Sequence, residues 1–272
     1  MKEELYLSIR ENTVMKANNL IFNSKFTLSL QQQKIVFFLT SQINYDDKEF
    51  QEYTFNIIDF CRICGIDSVG GKQYSLLKEA IKTLADKSIW ITRNDGVETL
   101  LRFIEKPELN KAQGTIKLRI DEDMKPYLLQ LKKNYTSFEL LYTLRFRHKA
   151  SPRLYELLKA HHFDNLKPYV YVVSIDDLRV ILNADTDSYK QYKYFNSRVL
   201  APALKEINEQ TDLNITYRTR KSGKAITHAE FTIEQKTPAE RMRVYDEIDV
   251  AFGHEELTFA YQIAHSKAGG QK

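Results

Sequence analysis

Residues 189–233 read YKQYKYFNSRVLAPALKEINEQ, then TD, then LNITYRTR, KSGK and AITHAEFTI. The first block is helical, because Phe195, Val199, Leu204 and Ile207 recur at the spacing of one apolar face. Pro202 lies inside it without a backbone N–H, which predicts a kink or a restart. Beyond it, Leu213–Arg220 and Ala225–Ile233 flank Lys221-Ser222-Gly223-Lys224 and are expected to form a β-hairpin. The helix face away from the apolar stripe carries Lys193, Asn196, Ser197, Arg198, Ala201 and Lys205, preceded by Lys190. These are donors for phosphates and base edges, with Ala201 small enough for close approach. The hairpin adds Arg218, Arg220, Lys221 and Lys224. A donor-bearing helix followed by a basic hairpin is the order of a winged helix-turn-helix. There the helix enters a major groove about 12 Å wide, and the hairpin, or wing, reaches the flanking backbone. Between Thr186 and Ile226, eight Lys/Arg face four Asp/Glu, and Glu206, Glu209 and Asp212 gather at the far end. The N-terminal half of the helix and the wing are therefore the surface expected to meet a polyanion.

Working outward, the same order occurs twice. Tyr169–Val173 is expected as a strand, Ser174 as the cap of a short helix through Ile175, Leu178, Ile181 and Leu182. Earlier, Tyr53–Phe55 is a strand and Asn56 caps a helix through Ile58, Phe60 and Ile63 that Gly65 stops. A second helix, Lys72–Asp86, turns Leu77, Ala80, Ile81 and Leu84 inward. Strands Ser88–Arg93 and Val97–Ile104 flank the turn Asn94-Asp95-Gly96, and Gly114–Ile120 alternates as a third. An offset of 118 places Ile57 on Ile175, Asp59 on Asp177, Phe60 on Leu178, Ile63 on Ile181 and Lys72-Gln73-Tyr74 on Lys190-Gln191-Tyr192. The chain thus reads as α+β, two tandem winged-helix domains related by a pseudo-two-fold internal repeat. The first unit presents Lys72, Gln73, Ser75, Lys78 and Lys82 outward, but its Arg93–Glu98 hairpin tip is nearly neutral. Weaker DNA contact, or a protein–protein role, is expected there.

The flanks complete the layout. Residues 1–17 are polar and expected to be loose. Ser29 should cap a helix with Leu30, Ile35, Phe38, Leu39 and Ile43 inward and Gln31–Lys34 in water. Residues 121–162 read as helical, with Ser151-Pro152 as an N-cap followed by proline at the first helical position. The expected domains are 1–17 (flexible), 18–135 (first winged helix), 136–236 (second winged helix, the main DNA-binding one) and 237–272 (mobile tail).

The composition fits a globular chain: of 272 residues, 43% are apolar and 28% charged, with only 9 Gly and 6 Pro. Lys plus Arg exceeds Asp plus Glu by 40 to 36, a mild excess that permits a polyanionic partner. No apolar run approaches the roughly 18–20 residues of a membrane span, and the N-terminus lacks an apolar signal core. A cytoplasmic protein with no membrane partner is expected. Cys61 and Cys64 are too few for a disulfide scaffold, and neither a second pair nor a histidine stands at zinc spacing, so both are expected as core or half-exposed cysteines. His161-His162 diverge on a helix, and Tyr189, Tyr192 and Tyr194 read as packing or stacking residues. Acid pairs Asp176-Asp177 and Asp121/Asp123 sit at helix starts, where capping accounts for them. No catalytic residue, metal or cofactor is expected.

Several segments together carry a family likeness. They are Asn19-Leu20 with Leu28-Ser29-Leu30-Gln31-Gln32-Gln33-Lys34, then Leu76–Ser88, Pro126-Tyr127-Leu128 with Tyr135-Thr136-Ser137-Phe138, and Ser151–Leu158. Phe195–Thr211 and Ala229-Glu230-Phe231-Thr232-Ile233 follow. Over about residues 15–236 the chain resembles the plasmid replication initiator (Rep) proteins that bind iterons and have two tandem winged-helix domains. The resemblance implies that the partner is double-stranded origin DNA with direct repeats, read in the major groove by the second domain. It implies that the first domain contacts the other part of the repeat as a monomer and forms the dimer interface in another state. Monomers would then open replication, dimers would repress the initiator's own promoter, and the host initiator and helicase would be recruited. Where family members often carry Arg or Lys ahead of the position of Arg198, this chain has Asn196 and Ser197, which leaves Arg198 to read a guanine bidentately and Asn196 to read an adenine. A winged-helix transcriptional repressor without initiator activity would use the same helix and wing. A tyrosine nickase would need a metal-binding His pair that the sequence does not supply.

Overall fold

The computed structural model describes residues 13–44, 46–66, 72–93, 95–162 and 167–252. The chain divides into two compact units between Leu144 and Arg145.

The first unit opens with β1 (Thr13–Ala17), which runs antiparallel to β8 (Tyr135–Glu139), Val14 opposite Phe138. Two expectations are corrected here. Thr13–Ala17 is not loose, because Val14 and Lys16 are buried by this pairing. Nor does a domain begin at 136, because β8 completes the first unit's ladder. Helix α1 (Asn18–Phe22), strand β2 (Ser24–Lys25) and helix α2 (Leu30–Thr40) follow. Ser29 caps α2 in a reciprocal capping box with Gln32. The expected wet side of α2 is instead interior: Gln32, Gln33 and Lys34 are all buried. Burial of such polar groups requires partners. Gln32 donates to Thr83 Oγ1 at 2.8 Å, and Lys34 Nζ donates to the Leu144 carbonyl at 2.5 Å.

The winged-helix part comprises β3 (Glu52–Asn56), α3 (Ile57–Cys64), α4 (Gln73–Ala85) and strands β4 (Ser88–Thr92), β5 (Glu98–Arg102), β6 (Ile104–Asn110) and β7 (Thr115–Ile120). Asn56 Oδ1 accepts from the Ile58 N–H at 2.9 Å, as the capping pattern predicts. Phe38, Phe55 and Phe60 cluster in the core with ring centroids 5.0–5.6 Å apart. The strands form two sheets, β2-β4-β5 and β3-β7-β6. The expected single strand Val97–Ile104 is therefore two, and the hairpin that shares a sheet with β3 is β6–β7. Strand β6 is an edge strand, and Lys106-Pro107 sits at its register shift, with Lys106 at φ 40°. An edge bulge is where a strand tolerates proline. A 3₁₀ turn (Glu122–Met124), α5 (Lys125–Leu128) and α6 (Leu141–Leu144) end the unit, so residues 121–162 are not continuously helical.

The second unit, Arg145–Ile248, contains α7 (Ser151–His161), β9 (Tyr169–Ser174), α8 (Ile175–Ile181), α9 (Tyr192–Phe195), α10 (Ala201–Gln210), β10 (Leu213–Ser222), β11 (Ala225–Gln235) and, up to Ile248, α11 (Pro238–Phe252). Its sheet order, β10-β11-β9, matches β6-β7-β3, so the repeat is one of topology. Hairpin β4–β5 has no counterpart in the second unit. Ser174 caps α8 by accepting from the Asp177 N–H at 3.0 Å. Ser151 is not the cap of α7; it lies inside the helix and its hydroxyl donates to Glu206 at 2.6 Å. The core joins Leu154, Leu158, Leu178, Phe195, Ile207 and Phe231. The expected mobile tail is also corrected in part. Pro238–Phe252 is a helix whose Val244, Tyr245 and Ile248 are buried. Residues 253–272 lie outside the described residues, as does most of the stretch 1–17.

Candidate nucleic-acid interface

In the second unit the helical course from Tyr192 to Gln210 is interrupted by a π turn at Asn196–Leu200, where the Ala201 N–H reaches back to the Asn196 carbonyl. The restart expected at Pro202 is thus a π turn running directly into α10, whose first turn holds that proline. An α-helix would satisfy the Arg198 carbonyl with the N–H of residue 202, which proline lacks. His148 Nε2 lies 2.9 Å from that oxygen. Phe195, Val199, Leu200, Ala203, Leu204 and Ile207 are buried beneath the helix. Lys193, Tyr194, Ser197, Arg198 and Lys205 are exposed above it.

Each expected contact residue has a definite setting. Arg198 places its guanidinium carbon 5.1 Å from the centre of the Tyr194 ring, within cation–π range. Asn196 is half-buried, and its Oδ1 accepts from the Tyr217 hydroxyl of the wing at 2.5 Å. That bond straps the helix to β10 and takes one of the two lone pairs of the oxygen that a bidentate adenine contact would use. Lys190 is exposed and 2.7 Å from Asp187, and Lys205 is 3.8 Å from Glu209. Such exposed pairs exchange readily for phosphate. In the wing, Lys221 and Lys224 are exposed around Gly223, whose φ of +60° makes the tight turn. Arg218 and Arg220 converge on the buried Glu230, Nε to carboxylate at 2.6 and 2.7 Å. Hydrogen bonds from Arg220 and then Arg218 hold the Glu230 carboxyl below its ordinary range. Burial, then the Tyr217 hydroxyl, push the Tyr192 phenol up.

In the first unit Lys72, Ser75 and Lys78 are exposed on and just ahead of α4, and Gln73 is half-buried. The β4–β5 tip is neutralised by Arg93 and Asp95, 2.6 Å apart. The topological wing is instead β6–β7, whose turn presents Lys111 with Nζ 5.7 Å over the Tyr74 ring of α4. Cys61 and Cys64 are fully buried, and burial pushes the Cys64 thiol up. Among the described residues no group of three or more His, Cys, Asp or Glu stands together as a metal set, and no helix is long and apolar enough to cross a membrane.

Residues 13–159 match the family described as "Initiator Replication protein, WH1", and residues 174–233 match "Initiator Rep protein, WH2". The chain belongs to the initiator Rep protein family. Similar curated proteins include the PI protein of Escherichia coli, 29% identical over 178 residues, covering 60% of this chain and 58% of the relative. A "Replication initiation protein" of Escherichia coli is 24% identical over 220 residues, covering 77% of this chain and 66% of the relative. The matches thus span less than two thirds of these relatives. Among solved structures, the Pi initiator protein in complex with iteron DNA aligns with a TM-score of 0.61 at 20% identity, over 84% of this chain and 99% of that one. At that identity the likeness is one of fold: two tandem winged helices.

Within this Rep-family fold, the sequence marks Tyr194 only as a packing or stacking residue and does not single out His148, Tyr217 or Glu230 at the second candidate surface or Lys111 at the first. Tyr194 had a signal, its four-residue spacing from Arg198 on one helix face. The others are set by tertiary pairing. The WH1 match extends into α7, yet that helix belongs to the second unit, where Tyr155 donates to Asp212 at 2.7 Å and Lys159 lies 2.5 Å from the same carboxylate.

Proposed function

We propose that this chain is a sequence-specific double-stranded DNA-binding initiator of plasmid replication. In this reading it binds direct repeats at the origin through the Tyr192–Gln210 helix and the β10–β11 wing, and has no catalytic activity of its own. The observation that carries the reading is the exposed Arg198, held at its guanidinium by Tyr194 and at its carbonyl by His148, on a helix strapped to a basic wing. Arg198 suits bidentate reading of a guanine, while Lys190, Lys193, Lys205, Lys221 and Lys224 suit phosphates. The name of one relative, a replication initiation protein, and the iteron DNA bound by the Pi initiator agree with this reading. Lys72, Gln73, Ser75 and Lys78, with Lys111, would meet the adjoining part of the repeat.

Self-association belongs to the same reading. Hairpin β4–β5, which the second unit lacks, faces Trp90 across to Leu100, and both side chains are about half exposed. A dimer would repress the chain's own promoter, and the monomer would act at the origin with the host initiator and helicase in the cytoplasm. The test is a footprinting titration on the DNA flanking the coding sequence, at two salt concentrations, against a scrambled control. Protection of direct repeats that survives higher salt, together with origin function in trans, supports the initiator. Protection without origin function leaves a repressor, and sequence-indifferent binding overturns both.

A further inference from the structure

The segment entering the second unit is fastened to the recognition helix at two places about two turns apart. The Glu206 carboxylate accepts from the Arg147 N–H at 3.0 Å, from the His148 N–H at 3.1 Å and from the Ser151 hydroxyl at 2.6 Å. The second fastening is the imidazole of His148. Its Nδ1 accepts from the Ala150 N–H at 3.3 Å, which leaves Nε2 as the protonated nitrogen, 2.9 Å from the Arg198 carbonyl oxygen. That carbonyl is the one Pro202 leaves without its usual helical donor.

We propose that His148 is a positioning residue for DNA reading: its Nε2–H replaces the N–H that Pro202 withholds and fixes the π turn from which Ser197 and Arg198 project. The proposal rests on the reading of this helix as the base-reading element. A π turn holds an additional residue per turn, and one residue of an α-helix is about 100° of rotation. Losing the turn would therefore rotate Ser197 and Arg198 about the helix axis relative to α10 and change the direction in which Arg198 projects. Glu206 ties down the main chain on which the imidazole stands, so the ring meets the carbonyl from a fixed backbone.

The experiment uses the full chain with His148→Ala and His148→Gln, the latter restoring a donor. The probes are a duplex that the unmodified chain selects from a random-sequence pool and its scrambled counterpart. His148→Ala should lower affinity for the selected duplex about tenfold, the scale of one hydrogen bond, and leave affinity for the scrambled duplex unchanged. His148→Gln should recover most of the loss, and His148→Ala should add nothing once Arg198 is already Ala. An equal fall on both duplexes, in step with a lower melting temperature, means a structural role only and overturns the proposal, as does a Gln variant no better than Ala. A second measurement needs no variant: the ¹⁵N shifts of the His148 ring should show the Nε2–H tautomer, and the Nδ1–H tautomer overturns the assignment. If the unmodified chain selects no sequence from the pool, it is the DNA-reading function that fails first.

Discussion

Arg198 and Tyr194 lie one helical turn apart on the same exposed face, guanidinium carbon 5.1 Å from the ring centre. A guanidinium resting on an aromatic face gives up less freedom when it forms two parallel hydrogen bonds to one base. Arg198→Ala should therefore reduce discrimination between repeat and scrambled duplex by about 1–3 kcal/mol, with the melting temperature unchanged. Tyr194→Ala should reduce it by about 0.5–1 kcal/mol, and Tyr194→Phe should keep most of the interaction. Paired titrations on the two duplexes measure this. A Tyr194→Ala chain that discriminates as well as the unmodified one removes the tyrosine from the interface.

The wing tip makes a different prediction. Lys221 and Lys224 are exposed, and neither has a described ion-pair partner. As phosphate contacts they should weaken binding on every sequence alike. Changing both to alanine should lower the slope of log affinity against log salt by roughly 2 and leave the repeat-to-scrambled ratio intact. A salt series on both duplexes separates this from a base contact, which would alter the ratio.

Glu230 restrains Arg218 and Arg220, which the sequence alone presents as wing cations. It faces Arg218 across the β10–β11 ladder, and its carboxylate binds Arg220 as well. Glu230→Gln keeps an acceptor but removes the charge. Affinity for scrambled duplex should rise several-fold, about the effect of one added unit of positive charge near the phosphates, and the repeat-to-scrambled ratio should fall. Unchanged scrambled affinity would mean that Arg218 and Arg220 do not approach DNA.

These cases show what the sequence carried and what it did not. The short helices capped by Asn56 and Ser174 were legible because capping is a matter of neighbours two or three residues apart. The Tyr192–Gln210 helix was legible because Phe195, Val199, Leu204 and Ile207 repeat along one buried face. The first unit's wing was misassigned because Asn94-Asp95-Gly96 is the stronger local turn signal, while β6 contains Pro107 and reads as a broken strand. Which hairpin joins β3 is decided only by long-range pairing. Gln32 and Lys34 look like surface residues until Thr83 and the Leu144 carbonyl are placed beside them. Likewise the partners of Arg218, Asn196 and the Arg198 carbonyl lie 12, 21 and 50 residues away in the chain, beyond any periodicity argument.

His161 supplies a pH dependence whose sign is fixed by its setting. Its ring stacks on Tyr171 at 3.8 Å between centroids, and burial pushes its pKa from 6.5 down to about 4. Above pH 6.5 the imidazole is neutral in the folded and unfolded chain alike, so it contributes no slope. As pH falls from 6.5 toward 4, the unfolded chain takes up a proton that the folded chain refuses. Stability must then decrease with each step down, and level off below about 4 where both states are protonated. His161→Phe preserves an aromatic partner for Tyr171 and removes the titration. Thermal melts between pH 7.5 and 4.5 should show the unmodified chain losing stability faster than the variant, with the two curves diverging only below neutrality. Parallel curves would mean that the His161 ring is protonated in place as easily as in the unfolded chain.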